Sequence, residues 1–510
     1  MGYSFLMRIP AALLAAVLVV ACVACSPGRG VDLGQGSGNL IAAIAGEPDQ
    51  LDPHKTSAYF SFEVLENVFD TLVEPDADLN MAPALAESWD TAPDQLSWTF
   101  HLRPGVTFHD GSPLTADDVV YSYRRIIDEK LSTVDKFSAV TAVDAIDPRT
   151  VRISLSRPTP NLLTNLGGFK GMAIVSRRNV EDGSIATHPI GTGPFAFAGR
   201  QSGDSITLTA NPNFWGGAPK LPGVTFRFIS ETSTALAALQ AGEVDWTDAV
   251  PPQRVPQLEG DDSLRLARTP SNDYWYFALN AARPPWNDVR VRQAVAYAVD
   301  RPSIVQATSY GTAEANQLAI PQGNPWFTPY DRYTRDIDRA KQLLSEAGAA
   351  PERMDMLVTN EYPQTVTAAQ VVADNLQPLG ITVNIRTVDF ATWLDEQNNG
   401  NFDMLMMGWL GNIDPDDFYY AQHHTDGANN AQKFSDPRVD AALDAGRSEV
   451  DPQARKRDYA TAATLIADGV SYIFLYNPAV LQAWTPNLHG YEARRDKAIR
   501  FRDASLGGES

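Results

Sequence analysis

Short apolar runs and alternating patterns dominate the first part of the folded region. Residues 40–44 (LIAAI) form an apolar run that predicts a buried strand, and the proline-containing segment 46–53 predicts an extended loop after it. Apolar and polar residues alternate over 98–102, a Pro-Gly pair follows, and apolar positions return at Val106 and Phe108. This order predicts a β-hairpin.

A helical pattern comes next. Thr115 and Asp118 have the spacing of a capping box, in which side chains satisfy the free backbone groups at a helix start. The apolar positions behind it recur at helical intervals: Val119, Tyr123, Ile126 and Ile127. We therefore expect a helix that packs on the hairpin.

A glycine-rich segment at 191–196 (GTGPFA) formally fits the G-x-G-x-x-A pattern of a dinucleotide loop. Pro194 and the period-two pattern after it predict a strand, however, and the segment offers no helix N-terminus for a pyrophosphate. The pattern favours a strand over a nucleotide site.

The second half of the chain alternates between strand and helix patterns. Asp288 is a helix cap by residue type, and the later predicted elements are strands at 354–358, 381–385 and 404–407 separated by helices at 365–379 and 391–396. This order indicates a parallel sheet. Ligands bind beyond the carboxyl ends of such strands, so the loop after Met407 is the candidate site.

That loop, residues 408–420 (GWLGNIDPDDFYY), combines one tryptophan, two glycines and three aspartates. A tryptophan is as often a core residue as a ligand contact. The position of Trp409 at the binding edge of the predicted sheet favours the ligand contact.

The first 25 residues have the layout of a secretory signal, with Arg8 before an apolar stretch and small residues around Cys22 and Cys25. Either cysteine fits a lipoprotein cleavage site, so we expect a lipid on Cys25 or Cys22. An uncleaved membrane anchor is the alternative, but the stretch is short against the roughly 20 residues of a bilayer span. Residues 26–37, rich in glycine, predict a flexible tether.

Composition excludes two classes of function. The chain has 41 Lys and Arg against 62 Asp and Glu, a net charge of −21, so no basic surface is available for nucleic acid. Its only two cysteines lie at the N-terminus, which excludes a thiol nucleophile or a zinc-thiolate site in the folded region. A chain of 510 residues is also too long for one compact core.

Ordered motifs along the chain carry a family resemblance. They are Gly46-Glu-Pro-Asp-Gln-Leu-Asp-Pro53, Leu85-Ala-Glu-Ser-Trp89, Trp98-Thr-Phe-His-Leu-Arg-Pro-Gly-Val-Thr-Phe-His-Asp-Gly111, Leu114-Thr-Ala-Asp-Asp-Val119, Gly191-Thr-Gly-Pro-Phe195, Gly242-Glu-Val-Asp245, Val289-Arg-Val-Arg-Gln-Ala-Val-Ala-Tyr-Ala-Val-Asp-Arg301 and Ala347-Gly348. Together they resemble the family 5 extracellular solute-binding proteins, the dipeptide and oligopeptide receptors of ABC importers.

The resemblance implies an α/β, two-lobed, periplasmic-binding-protein-like (type II) fold with an extra subdomain. Lobe one would comprise residues 38–268, with the subdomain at about 60–185; lobe two would comprise 269–475, and residues 476–510 would return to lobe one. The chain would cross between lobes near 269–277 and 472–478. The lobes would close around a ligand as hinged binding proteins do.

The resemblance also implies which residues contact the ligand. They are Tyr59, Tyr274, Trp275, Tyr276, Tyr362, Trp409, Gly411, Asn412 and Asp414. At least one of the three hinge aromatics at 274–276 is expected to pack the hinge instead.

Two departures from the family pattern bear on the ligand. Asn412 stands where dipeptide receptors commonly have an aspartate for the peptide ammonium, so either that role moves to Asp414, Asp416 or Asp417, or the ligand lacks a free ammonium there. The loop 360–363 has no arginine for a terminal carboxylate. Both departures favour an oligopeptide over a dipeptide.

We expect a monomer without cofactor that delivers peptides to membrane permease subunits driven by separate ATPases, held at the extracytoplasmic face by its lipid. A receptor of the same family for an oligosaccharide, metal complex or other small solute stays open. His423 and His424 with Asp426 favour a solvated loop over a metal site. An extracellular hydrolase is the alternative of another class, although no G-x-S-x-G or H-E-x-x-H motif is present.

Overall fold

The computed structural model describes residues 38–169, 171–350, 353–410 and 413–507. Cys22, Cys25, Gly411 and Asn412 lie outside the described residues. The strands are β1 Leu40–Ile44, β2 Val73–Pro75, β3 Met81–Pro83, β4 Ala86–Thr91, β5 Ser97–Leu102, β6 Val140–Asp147, β7 Thr150–Leu155, β8 Phe195–Gln201, β9 Ser205–Ala210, β10 Gly223–Phe228, β11 Trp246–Thr247, β12 Arg265–Pro270, β13 Tyr274–Leu279, β14 Glu314–Ala315, β15 Arg353–Thr359, β16 Thr382–Val388, β17 Met404–Trp409, β18 Ile473–Asn477, β19 Ala479–Trp484, β20 Leu488–His489 and β21 Ser505–Leu506. The α-helices are α1 Tyr59–Leu65, α2 Ala116–Asp128, α3 Leu162–Gly167, α4 Arg177–Glu181, α5 Thr232–Gln240, α6 Val255–Leu258, α7 Val289–Ala298, α8 Arg301–Ser309, α9 Ile337–Ala347, α10 Pro363–Leu376, α11 Phe390–Asn398, α12 Pro415–His423, α13 Pro437–Ser448 and α14 Pro452–Asp468.

Strand β1 lies inside a seven-stranded sheet with the order β12-β19-β11-β1-β10-β9-β8. It pairs in parallel with β10 and β11, and four of its five residues are buried, which confirms the strand predicted at 40–44. The strand predicted after Pro194 is also confirmed, because β8 forms an antiparallel pair with β9 there. This sheet has its own hydrophobic core, which includes Phe195, Phe226 and Trp246.

A separate four-stranded antiparallel sheet has the order β4-β5-β7-β6. The hairpin predicted over 98–108 is wrong: β5 pairs with β4 and β7, and residues 106–108 lie in the loop before α2. Alternation shows that a strand has one buried face, but any antiparallel partner satisfies it. Val106 is apolar because it belongs to the core of this sheet.

Helix α2 covers this sheet, and its predicted start is confirmed. Asp118 Oδ2 accepts from the backbone N–H of Thr115 at 2.9 Å, and the pair forms a capping box. Val119, Tyr123 and Ile126 are buried in the same core as Phe100 of β5. The helix thereby fixes one face of the four-stranded sheet.

A six-stranded sheet has the order β14-β18-β13-β17-β15-β16. Strand β15 is parallel to β16 and β17, as the alternating pattern predicts. Strand β13 is antiparallel to β17 and β18, so the whole sheet is mixed. All six residues of β13 are buried, which leaves no alternation in its sequence to mark its neighbours. Asp288 caps α7, as predicted, by accepting from the N–H of Arg290.

The seven-stranded and six-stranded sheets are connected by two adjacent segments, 271–273 between β12 and β13, and Pro478 between β18 and β19. The segments are bonded to each other: Ser271 Oγ donates to the Pro478 carbonyl at 2.9 Å and Asn477 Nδ2 donates to the Asp273 carbonyl at 2.9 Å. Asp273 is fully buried and forms an ion pair with Lys497. The lobe boundaries themselves stay a prediction.

A buried ion pair ties the loop after β1 to α2. Both side chains are 2% exposed, and Arg125 donates to Asp52 through two nitrogens at 2.6 and 3.1 Å. The same guanidinium lies 3.2 Å from His54 Nδ1, and His54 Nε2 lies 2.8 Å from the Ala173 carbonyl. Burial, with the Arg125 charge, lowers the pKa of His54 to about 4, so its ring is neutral at pH 7. The motif at 46–53 therefore has a structural role.

Replacing Arg125 should leave the Asp52 carboxylate buried without a counter-charge. We expect Arg125→Met to lower the free energy of unfolding by about 3–5 kcal/mol. Urea denaturation measures the change. The control is Arg177→Met, which breaks an ion pair between side chains that are 66% and 56% exposed and should have a much smaller effect, because solvent screens an exposed pair. Equal effects for the two variants would contradict the structural role of Arg125.

The buried His423 predicts a pH effect. Burial lowers its pKa from 6.5 to about 3, so between these values the unfolded chain binds a proton that the folded chain excludes. The contribution of neutral His423 to the free energy of unfolding is fully present above pH 6.5 and is lost as the pH falls toward 3. In His423→Asn, the loss of unfolding free energy between pH 7 and pH 5 should be smaller than in the parent. The exposed His188→Asn is the control, and identical pH slopes for parent and His423→Asn would refute the prediction.

Candidate ligand-binding site

The carboxyl end of β17 brings Gly408 and Trp409 next to β13, with Gly408 opposite Trp275 and Trp409 opposite Tyr274. A Cβ atom at position 408 would come within 2.8 Å of the Trp275 indole. Glycine is therefore required for the indole to lie against the strand. Two cavities open beside this strand end, and Trp409 and Leu410 line both of them.

The first cavity is a polar cleft of about 270 Å³. One wall comes from residues 135–168, which flank the four-stranded sheet, and the other from residues 409–447, which begin at the last residue of β17. Lys136 Nζ donates to Asp417 Oδ1 at 2.8 Å and connects the two walls. The cleft therefore lies between two separately folded parts of the chain.

The charges in the polar cleft are mostly paired. Arg447 Nε lies 3.1 Å from Asp416 Oδ1 and the guanidinium covers the Tyr420 ring at 3.6 Å. Burial raises the pKa of Asp416 to about 6, against the opposing charge of Arg447. Arg157 is half-buried, donates to Ser138 Oγ at 3.4 Å and has no carboxylate within 4 Å among the described residues. The cleft thus offers hydrogen-bonding groups and one cation without an acidic partner there.

The second cavity, called the aromatic cavity below, has a volume of about 140 Å³. Its lining consists mainly of aromatic rings and belongs to the six-stranded-sheet region alone. The lining residues are Trp275, Tyr276, Tyr362, Phe390, Trp393, Leu394, Gln397, Met407, Gly408, Trp409 and Leu410.

Four of the residues predicted from the sequence line this cavity: Trp275, Tyr276, Tyr362 and Trp409. Tyr274 does not. It is 1% exposed, its hydroxyl donates to the Phe418 carbonyl at 3.3 Å, and its ring packs on Phe418 and Phe474. Trp275 and Tyr276, the next two residues of β13, both line the aromatic cavity, and the pairing of β13 with β18 is irregular between them.

Tyr59 and Asp414 line neither cavity. Tyr59 begins α1, and its hydroxyl donates to the Lys497 carbonyl at 3.1 Å. Asp414 caps α12, and its carboxylate accepts from two nitrogens of Arg455 at 2.6 and 2.9 Å. A ligand ammonium at Asp414 would have to displace Arg455.

The structure adds residues that sequence reasoning missed. Phe390 and Trp393 follow β16 and lie at the same strand-end edge as Tyr362 and Trp409, so the rule that pointed to Trp409 could have found them. Lys136 and the rest of the opposite wall gave no such signal, because they lie in turns and loops beside a different sheet.

The paired histidines are not a solvated loop. His423 is fully buried and lies 2.8 Å from Ser471 Oγ, and His424 stacks on Tyr420. Among the described residues there is no cluster of three or more His, Cys, Asp or Glu side chains able to hold a metal ion. In that same part of the chain, no helix has the length and apolar character to cross a membrane.

The chain is similar in sequence to known proteins over most of its length. It is 28% identical over 502 residues to the periplasmic murein peptide-binding protein MppA of Escherichia coli, covering 91% of this chain and 92% of that protein. It is 30% identical over 458 residues to protein XP55 of Streptomyces lividans, covering 86% and 83% respectively.

Among solved structures, the periplasmic binding protein DppA of Helicobacter pylori, in complex with the peptide STSA, matches with a TM-score of 0.82 and 25% identity. The match covers 93% of this chain and 99% of that one. The predicted α/β, two-lobed periplasmic-binding fold is confirmed. Residues 80–430 match the family described as bacterial extracellular solute-binding proteins, family 5 Middle. The chain therefore belongs to the family 5 bacterial extracellular solute-binding proteins.

Proposed function

We propose that this protein is the extracytoplasmic receptor of an ABC importer, that it binds peptides between its two lobes, and that it catalyses no reaction. Family membership supports the receptor role, and the peptide-binding relatives MppA and DppA support the ligand class. The observation that carries the proposal is the position of Trp409, which lies at a strand end between a polar cleft and an aromatic cavity.

The polar cleft suits a peptide backbone. Amide, hydroxyl and charged side chains line it, including Asn161, Asn165 and Arg157, and bridging waters can complete bonds to a backbone of any sequence. A receptor for varied peptides needs this kind of contact, because the backbone is the part that all of them share.

Charge pairing supports oligopeptides over dipeptides. Asp414 is bound by Arg455, Asp416 by Arg447 and Asp417 by Lys136, so each described aspartate of the loop already has a cationic partner. A dipeptide carries both charged ends close together and depends on fixed counter-charges. A longer peptide gains its binding energy along its backbone instead.

Closure would bring the two walls together around the peptide. The ion pair between Lys136 and Asp417 already spans the cleft, and two short connections join the seven- and six-stranded sheets. Hinged closure of this kind encloses the ligand and presents a defined surface to a membrane permease, whose separate ATPase subunits drive transport. The receptor itself acts as a monomer and needs no cofactor.

Removing the Trp409 indole should weaken peptide binding at least tenfold, since a buried aromatic contact at the centre of a site contributes about 2 kcal/mol or more. The ligand is first identified by native mass spectrometry of protein purified without denaturation, and the affinity of Trp409→Ala is then measured by calorimetry. Trp98→Ala is the matched control, because Trp98 is half-buried in the four-stranded sheet and lines neither cavity.

The same experiment can refute the proposal. A co-purified oligosaccharide or metal complex would show that the ligand is a solute other than a peptide. Release of a hydrolysed product would show that the protein is an enzyme. Equal affinities for Trp409→Ala and Trp98→Ala would place the binding site elsewhere.

We also propose that a lipid on Cys25 or Cys22 holds the protein at the extracytoplasmic face of the cell membrane. The support is the signal-like segment before these residues and the glycine-rich tether after them. One acyl chain binds a membrane weakly, so a stable attachment requires more than one.

Substitution of the lipid-bearing cysteine should release the protein from the membrane. In cell fractionation, the double variant Cys22→Ser and Cys25→Ser should move to the soluble extracytoplasmic fraction. One single variant should behave like the double variant, and the other should stay with the membrane as its matched control. Membrane retention of the double variant would refute lipid attachment at these positions.

A further inference from the structure

The aromatic cavity has a chemical character distinct from the polar cleft. None of its described lining residues is charged, and Gln397 supplies its one carboxamide. A charged group entering it would lose its hydration without gaining a counter-charge, which is strongly unfavourable. The cavity therefore selects an apolar group.

Its size sets a limit on that group. An apolar cavity of about 150 Å³ binds benzene, and the aromatic cavity measures about 140 Å³. A phenyl ring or a branched aliphatic chain fits this space, whereas a methyl group would leave most of it empty.

The cavity is held in place by ring contacts. Trp275 and Tyr362 have centroids 6.0 Å apart, Tyr362 and Phe390 are edge-to-face at 5.8 Å, and Phe390 and Trp393 stack at 6.0 Å. Tyr276 stacks on Tyr472 at 3.7 Å. All these residues belong to one sheet region, so the cavity is formed before the lobes close and needs little reorganisation to accept a guest.

We propose that the aromatic cavity is a side-chain specificity pocket that accepts one aromatic or branched aliphatic side chain of the ligand. This specificity pocket rests on the proposed function, in which the backbone of the same peptide binds in the polar cleft. Trp409 and Leu410 line both spaces, so the distance between the backbone path and the cavity is fixed. The receptor therefore selects peptides with an apolar residue at one set position.

The test uses alanine peptides of two to five residues and the same peptides with one alanine replaced by phenylalanine at each position in turn. Calorimetry measures the dissociation constant for the full chain. At one position, phenylalanine should increase the affinity by about 10- to 100-fold over alanine, the gain expected for full burial of its side chain. Aspartate at that position should bind more weakly than alanine.

A variant that fills the cavity tests whether the gain in affinity from phenylalanine depends on this cavity. Leu394 lies at its rim with 39% exposure, and Leu394→Trp should reduce the ratio of phenylalanine to alanine affinity to near one. Leu96→Trp is the matched control, since Leu96 is 37% exposed and lines neither cavity; it should keep the parent ratio. Circular dichroism verifies that both variants fold.

The outcomes separate the two proposals. Alanine peptides that bind with no gain from phenylalanine at any position would overturn the specificity pocket and leave peptide binding intact. A gain that persists in Leu394→Trp would also overturn it. Failure of every peptide to bind would overturn the proposed function and the pocket with it.

Discussion

The structure depends on the two adjacent segments that connect its large sheets. Residues 271–273 and Pro478 are bonded to each other, and Asp273 is buried there against Lys497. The two sheets that these segments connect have separate hydrophobic cores. Each has its own buried cluster, with Phe226 and Trp246 in one and Phe277 and Leu405 in the other. The polar cleft lies between the six-stranded-sheet region and the residues that flank the four-stranded sheet, which has a third core of its own.

Local patterns predicted local structure well. The capping box at Thr115, the cap at Asp288 and the parallel relation of β15 to its neighbours all follow from residue type and spacing. The sequence was less informative about which strands pair with each other. The strand at 97–102 was expected to turn back on residues 106–108, but it pairs with β4 and β7. The sequence shows that one face of a strand is buried and does not show which strand lies beside it.

The same distinction between local and long-range structure applies to the residues of the candidate site. The rule that ligands bind at the carboxyl ends of parallel strands pointed to Trp409, and Tyr362 lies at that edge too. Tyr274 lies in the core, whereas Trp275 and Tyr276 line the cavity, and strand alternation alone does not predict this division. Lys136 reaches the cleft from a short helical turn beside the four-stranded sheet, and no local pattern in the sequence predicts this contact. The site residues that the sequence did not predict depend on contacts between distant elements more than on residue type.

The location of Trp275 has a mechanical consequence. Its indole forms part of the cavity wall, and its backbone belongs to β13 only two residues after the buried Asp273. The wall of the aromatic cavity is therefore continuous, through β13, with one of the two segments that connect the sheets.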